Sequence, residues 1–576
     1  MLTHSGDIPD NAVLSTDVCI LGGGVAGLTL AKELQATGRD VLVVEQGGQD
    51  HQRSIQKALR GRVVGYPYWG LEYVRHAQVG GASNRWFLPL AEGGQGGRFR
   101  KMDAIDFEAR DEIPHSGWPC TRADLEPYYD RASDLLGLDP DPYGAEFWAE
   151  RGELLLPDSD LLRTVVFKFA SRKPFAEIYP AELAASETVT LLTRSHVQSL
   201  TSHESGRAIS AAQVAGPDGR RFRIRANIFV LALGGIENPR LLLLSNDQRP
   251  AGIGNEHDLV GRYLMEHPHF TSGVLRPSDP TLFDRDDFYS PHLRRTTTIQ
   301  GKLGLREEVL RREGLRNFCF SLDPTWNPDA KPYLSPSEDA NRVLQSTLRK
   351  GYLPDHPLRE LLTVLFRGGP QLRRFLSEKA ETLRTWLGHP ARPVAYHLNV
   401  FSEQAPNPES RVCLSRAKVD PFGQPVAAFD LQFSRQDIAD VVRGQELIRA
   451  ELERTGLGRL EIEEYGTLPP PGIRGGFHHM GTTRMHPSPR HGVVDANSRV
   501  HGVENLFVAG SSVFPTGGFA NPTLTICAMT VRLADHLKSI QGGRVSASRS
   551  AVRRNRESSG TPVPASSGPS SSAVDE

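Results

Sequence analysis

Residues 21–28 read LGGGVAGL, with Gly22, Gly24 and Gly27 at the spacing GxGxxG. Before the glycines runs TDVCIL (residues 16–21), a short apolar strand-like run. After them, VAGLTLAKELQATG (residues 25–38) places Leu28, Ala31 and Leu34 at helical spacing and stops at Gly38. DVLVVE (residues 40–45) then reads as a second buried strand ending on Glu45. Together these make a βαβ unit. In such a unit the first glycine allows the tight turn and the second lets the backbone approach a pyrophosphate. The third lets helix and strand pack closely. The helix N-terminus, at Val25 and Ala26, offers free N–H groups and a partial positive charge to phosphates. Glu45 stands where an acid accepts hydrogen bonds from a ribose hydroxyl pair. An acid there disfavours a 2′-phosphate, so a dinucleotide other than NADP is expected; FAD and NAD both stay open at this point.

The 576-residue chain is longer than one hydrophobic core usually serves, so two or more domains are expected. A formal net charge of −1 leaves no basic footprint for nucleic acid or an anionic membrane. No stretch approaches the ~20 apolar residues of a membrane helix. The five cysteines, Cys19, Cys120, Cys319, Cys413 and Cys527, are far apart and form no CxxC pair. That argues against a metal site or a disulfide framework. The opening MLTHSGDIPDNAV shows neither a basic segment followed by an apolar run nor a twin arginine, so no leader is read and a cytoplasmic location is expected.

Further along, SGWPCTRADLEPYYDRASDLLGL (residues 116–138) reads as a loop and then a helix, with Thr121 or Asp124 as N-cap. VTLLTRSHVQSLTS (residues 189–202) and RFRIRANIFVLAL (residues 221–233) read as strands, and GGIENPRLLLLSN (residues 234–246) as a glycine turn and helix. Residues 273–392 show no clean period and many prolines, and are read as a substrate-side region with long loops. NLFVAG (residues 505–510) is a strand, and NPTLTICAMTVRLADHLKSI (residues 521–540) a helix with Pro522 at its first position. From residue 541 the chain is rich in Ser, Pro and Arg and is read as a disordered tail.

Several motifs recur in a fixed order: the front fingerprint, VGGASNRW (79–86), LGGIENPRLLLLS (233–245), GRYLMEHP (261–268), HHMGTTRM (478–485) and VENLFVAGSSVFPTGGFANPTLTICAMTVRLADHL (503–537). With them the chain resembles the glucose–methanol–choline (GMC) family of flavin oxidoreductases, its bacterial and pyranose-oxidase-like branch in particular. The resemblance implies an α/β protein (α+β overall) with a Rossmann-like FAD-binding domain, discontinuous in sequence, and a sheet-based substrate-binding domain. Residues 1–90, 180–265 and 475–540 are assigned to the first and residues 91–179 and 266–474 to the second, with 541–576 as tail.

The family's His-x-x-Gly-Thr motif maps its flavin-facing histidine onto His478, and a second His or Asn about forty residues later onto Asn521. His478 is then the acid–base group, since imidazole titrates near working pH, and Asn521 the positioner of the substrate oxygen. His479, His267 and His501 are read as structural, and Arg484 as the partner of a buried carboxylate. The resemblance also places Gly81, Ser83 and Asn84 beside the isoalloxazine edge, Val197 at the adenine, and Gly510 and Ser511 at the pyrophosphate and ribityl chain. The helix start at Pro522 and Thr523 is placed near the flavin N1 side. Arg85 stands where related members carry a histidine bonded to the flavin, so non-covalent FAD is expected. The expected activity is oxidation of a CH–OH group of a sugar, glycoside or secondary-metabolite alcohol, with O2 or another electron acceptor. A lyase or decarboxylase of the same fold, or a flavoprotein subunit of an electron-transfer complex, are the alternatives.

Overall fold

The computed structural model describes residues 1–86, 88–91, 93–170, 173–326, 328, 392–462, 473 and 475–540. The tail assigned to residues 541–576 lies outside them, as do residues 329–391 of the loop-rich stretch.

Val41–Val44 is buried at every position, as expected of a strand covered on both faces. It lies in a sheet whose described strands run Leu2–His4, Val189–Thr193, Val41–Val44, Val13–Leu21, Arg221–Leu231, Ile209–Ala215 and His196–Ser202, with Leu506–Val508 also paired to Arg221–Leu231. The first five strands and Leu506–Val508 pair in parallel, while Ile209–Ala215 and His196–Ser202 return antiparallel. The helix Val25–Leu34 follows the fingerprint, and Gly38 ends its last turn in the left-handed region at φ 72°. The C-terminal helix Thr523–Ser539 packs on it, with Thr29 Oγ1 3.7 Å from Cys527 Sγ. That helix begins one residue later than the sequence suggested: Pro522 is its N-cap and Thr523 its first residue.

The helix Arg122–Leu136 carries a capping box in which Thr121 is the N-cap and Asp124 its reciprocal partner. Its buried Leu125, Tyr129, Ala132 and Leu136 join the core of the first sheet, and it packs against Thr523–Ser539. The sequence had grouped this segment with the substrate side. Its apolar stripe faces the C-terminal helix, which only the tertiary structure supplies.

A second, antiparallel sheet runs Gly458–Ile462, His269–Pro277, Ala395–Ser402, Phe318–Thr325, Thr297–Leu305, Leu162–Ala170, Gln95–Phe99 and Leu88–Pro89, with His292–Arg294 paired to Thr297–Leu305. Much of residues 273–326, part of the stretch read as a substrate-side region with long loops, is therefore regular strand. Thr297–Leu305 is buried at all nine positions, with Ile299, Leu303 and Leu305 on one face and Thr298, Gln300 and Lys302 on the other. One face of this sheet packs its Leu398, Val400 and Leu275 on Ile448 and Leu452 of the helix Arg435–Arg454. The other face looks toward the C-terminal block. A small third sheet pairs Arg411–Val419 and Pro425–Asp430 with Arg62–Val63, stitching segments from opposite ends of the chain.

Candidate active site

The fingerprint turn explains its own glycines. Gly22 has φ 112°, and a Cβ on Gly27 would fall 1.9 Å from the Gly22 carbonyl oxygen. A Cβ on Gly24, by contrast, would meet only Gly81 Cα at 3.9 Å, and Gly24 caps its helix with no side chain. Gly24, Val25 and Ala26 thus open the first-turn amides to an anion. Across the cradle stands Gly510, whose Cβ would lie 4.0 Å from that of Ala26. Gly80 N donates to Gly23 O, which lays residues 79–86 against the fingerprint. Glu45 is buried, and its two oxygens accept from Gly23 N at 2.8 Å and Gly47 N at 2.7 Å. Burial pushes its carboxyl up to about 7. These residues fit a dinucleotide: an open cradle, an uncapped helix end and an acid held rigid at the tip of the second strand.

The remaining cofactor candidates divide. Ser83 is buried and its hydroxyl donates to Gly80 O at 2.7 Å. The Asn84 amide donates to Val79 O and Gly81 O at 3.0 and 2.9 Å. Both side chains therefore brace their own turn. Arg85 donates to Tyr73 O. Val197 lies in His196–Ser202, paired with Val214. Ser511 donates to His479 O at 2.7 Å, tying the strand end at Gly510 to the histidine loop.

That loop is placed by an antiparallel bridge. Met265 N donates to Met480 O and Met480 N to Met265 O, each at 3.0 Å. Two residues along, the register sets His267 opposite His478; one residue along, on the other side, it sets Glu266 opposite His479. His267 Nδ1 and His478 Nδ1 are 2.9 Å apart. His479 turns away, its Nε2 3.1 Å from the Tyr68 hydroxyl and its ring against Phe429. Glu266 Oε1 lies 3.7 Å from it, but burial lowers His479 to about 3, so that contact is not an ion pair. The Glu266 carboxylate instead accepts His478 N at 2.8 Å, His267 N at 2.9 Å and the Tyr68 hydroxyl, and burial raises it to about 7.

The hydrogen bonds assign the tautomers. His267 Nε2 faces Gly517 O at 3.3 Å, and a carbonyl can only accept, so Nε2 carries the proton. Burial lowers His267 to about 4, so its Nδ1 keeps a lone pair. His478 must then donate Nδ1–H to it, leaving His478 Nε2 as an unprotonated base. Burial first, then His267, His269 and Arg98, hold His478 well below the ordinary imidazole range. Asn521 Nδ2 lies 3.3 Å from that Nε2, and Arg98 Nε donates to Asn521 Oδ1 at 3.4 Å, which orients the amide.

The sequence pattern of the GMC oxidoreductase family matches residues 406–530, the block that holds His478 and Asn521. The pattern of FAD-dependent oxidoreductases matches residues 17–153, the block that opens with the fingerprint. The chain thus carries a GMC oxidoreductase domain in residues 406–530. The chain is 26% identical to the 2-methyl-1,2-propanediol dehydrogenase of Mycolicibacterium austroafricanum, over 91% of this chain and 95% of that protein. It is also 26% identical to the 6'''-hydroxyparomomycin C oxidase of Streptomyces lividus, over 93% and 94% of the two chains. Its fold is shared with a fungal aryl-alcohol oxidase at TM-score 0.50 and 16% identity, covering 92% of this chain and 99% of that one.

Sequence reasoning missed three residues that meet the candidate pair. His267, taken as structural, touches His478; Glu266 pins the backbone of both; Arg98 orients Asn521. The motif MEHP held the first two, but only the bridge to Met480 shows their role. The expectation for Arg484 is not met among the described residues: its guanidinium donates to His115 O at 2.6 Å and lies 4.4 Å from the Tyr263 ring centroid. No group of three or more metal-ligating side chains occurs among the described residues, and no helix there is long and apolar enough to cross a membrane.

Proposed function

We propose that this enzyme oxidises the CH–OH carbon of a small alcohol, sugar or glycoside to a carbonyl, with His478 as base and Asn521 as positioner. The observation that carries this reading is the lone pair on His478 Nε2, aimed at the Asn521 amide and fixed by the His267–Gly517 relay. The substrate hydroxyl meets Nε2 and the amide from one side, both within its reach because they lie 3.3 Å apart. Nε2 accepts its proton; an Asn521 N–H holds its oxygen; Arg98 keeps the amide from turning over. FAD, when bound, supplies the acceptor for the hydride that leaves the same carbon.

Gly22, Gly24, Val25, Ala26, Gly27, Gly81 and Gly510 would hold the pyrophosphate side of FAD, Glu45 its ribose and Val197 its adenine. The start of the C-terminal helix at Pro522 and Thr523 would favour negative charge on the reduced ring. With Arg85 in place of a bonding histidine, FAD is held non-covalently. The domain division of the sequence reading, with residues 266–474 on the substrate side, goes with this assignment. The diol and aminoglycoside named in the relatives' activities support an alcohol as substrate class.

The test is anaerobic mixing of the yellow protein with a panel of alcohols and glycosides. Substrate should bleach the flavin. His478→Ala should retain flavin and lose roughly 10²–10⁴ in that step, the usual worth of a positioned acid–base group. Bleaching at the native rate in His478→Ala would remove it from the chemistry.

A further inference from the structure

The face of the second sheet that looks toward His478 carries two cations, Arg98 and Lys302. Cross-strand register puts Cys319 opposite both Gly304 and Phe401, and Phe401 opposite His269. Lys302, two residues from Gly304, shares that face. Lys302 is 1% exposed, and its Nζ sits 3.3 Å from the Phe401 ring centroid. The Arg98 guanidinium lies 5.2 Å from the same ring and 4.9 Å from that of Phe167. The His269 ring is 4.5 Å from Phe401 and 6.3 Å from His478. The two cations therefore stand against Phe401 and Phe167, on the sheet face that carries His269 beside His478.

Neither cation meets a carboxylate within hydrogen-bonding distance among the described residues. The hydrogen bonds of Arg98 go to neutral acceptors, Asn521 Oδ1 at 3.4 Å and Gln300 Oε1 at 3.5 Å. The acid that acts on both from farther off, Asp323, is exposed and accepts from the Asn399 amide. A buried charge without a counter-charge is strongly unfavourable, and lysine escapes by losing its proton. Arginine has no such escape, because guanidinium stays charged in proteins. The pocket thus keeps at least one fixed positive charge beside the atom that holds the reacting oxygen. A neutral polyol would leave it unanswered; a carboxylate would answer it, with Phe401 and Phe167 walling off water.

We propose that the substrate is a hydroxyl-bearing carboxylate whose anionic group lies between Arg98 and Lys302 while its hydroxyl meets His478 and Asn521. This rests on the alcohol-oxidising reading above and narrows its substrate class.

The experiment uses the FAD-loaded full chain. Matched sets are compared in anaerobic bleaching: glycerol, glycerate and glycerol 3-phosphate; methyl glucoside and methyl glucuronoside. The carboxylate member should be preferred at least tenfold in kcat/KM, mainly through KM. That ratio should fall at least tenfold in Lys302→Met and in Arg98→Gln, and return in Lys302→Arg. Malonate, titrated without substrate, should perturb the flavin absorbance saturably, and far more weakly in Lys302→Met.

Equal use of neutral and carboxylate members, or preference for the phosphate ester, overturns the carboxylate class while leaving alcohol oxidation standing. Equal slowing of all members in Lys302→Met, with a lowered flavin potential, assigns the cations to the reduced cofactor and also overturns it. If no alcohol bleaches the flavin, the alcohol-oxidising reading fails; malonate binding then still decides whether the two cations form an anion site.

Discussion

His478 and His479 face opposite sides of the Met265–Met480 bridge, and their surroundings differ in kind. His479 is enclosed by Tyr68 and Phe429, whereas His478 is partly open and backed by a second imidazole. Because burial lowers His478, it binds a proton only at pH well below 6.5. As a base it must be neutral, so the loss of kcat/KM for flavin reduction that belongs to His478 should fall well below pH 6.5, apart from any inflection near 7 from the buried Glu45 and Glu266. Proton uptake by the His478 ring itself at or above pH 6.5, read by NMR, would contradict the assigned role. His267 acts through His478. Replacing it with Phe leaves the Nδ1–H of His478 without an acceptor, at about 1–3 kcal/mol, or about 5- to 150-fold in rate. His267→Phe should keep flavin bound yet slow reduction by that factor and move the pH inflection. His267→Gln, whose amide oxygen can accept, should restore part of both. An unchanged pH profile in His267→Phe would make the residue merely structural.

At the scale of the element, the strand–turn–helix at the front separates two kinds of glycine. A Cβ on Gly27 drives into backbone, while one on Gly24 points into open space. Gly27→Ala should therefore lower the stability of the protein itself. Gly24→Ala should fold normally, with an unchanged melting temperature for the apoprotein, and bind FAD more weakly. Crowding of this kind typically costs 1–3 kcal/mol, so about a 5- to 150-fold rise in Kd is expected. Flavin-to-protein ratio after gel filtration and calorimetry of the apo form measure the two effects separately. A Gly24→Ala protein that holds FAD as tightly as the parent would place the pyrophosphate elsewhere. The second sheet shows another division: one face packs Leu398 and Val400 on a helix, and the other carries Lys302 and Gln300 inward.

Over the whole molecule, the block 475–540 is what joins the parts. Its strand Leu506–Val508 completes the first sheet, its histidine loop bridges to Met265, and Thr523–Ser539 packs on the fingerprint helix. Trp118 Nε1 donates to Thr516 Oγ1 at 2.7 Å, and Thr516 Oγ1 to Asp106 O at 2.5 Å, tying this block to the segment between the strands Gln95–Phe99 and Leu162–Ala170 of the second sheet. FAD lying along Gly24, Gly81 and Gly510 would touch three chain segments distant in sequence. It should therefore act as a staple. At a free concentration of 1,000 Kd, mass action adds about 4 kcal/mol to the folded state. The melting temperature of apoprotein should rise with added FAD and continue rising logarithmically beyond saturation. A melting temperature insensitive to FAD would mean that the cofactor does not bridge these segments.

The βαβ front was legible because its signals are local: glycine spacing, a helical period and a terminal acid within thirty residues. The helix caps at Thr121 and Gly38 were legible for the same reason. His478 and Asn521 could be named from motif resemblance, not from any local rule. His267, Glu266, Arg98 and Lys302 carried no local signal. Arg98 lies 423 positions from the Asn521 it orients, and His267 lies 211 from His478. Thr297–Leu305 alternates in sequence, but its polar face is buried as well, which the alternation alone does not announce. By itself, then, the sequence determined a dinucleotide fold, which short-range sterics and periodicity settle, and one candidate base, which only motif resemblance named. Which nitrogen of that base is free, and which charges stand before it, only the tertiary structure decided, because a bridge and a sheet register act between residues hundreds of positions apart.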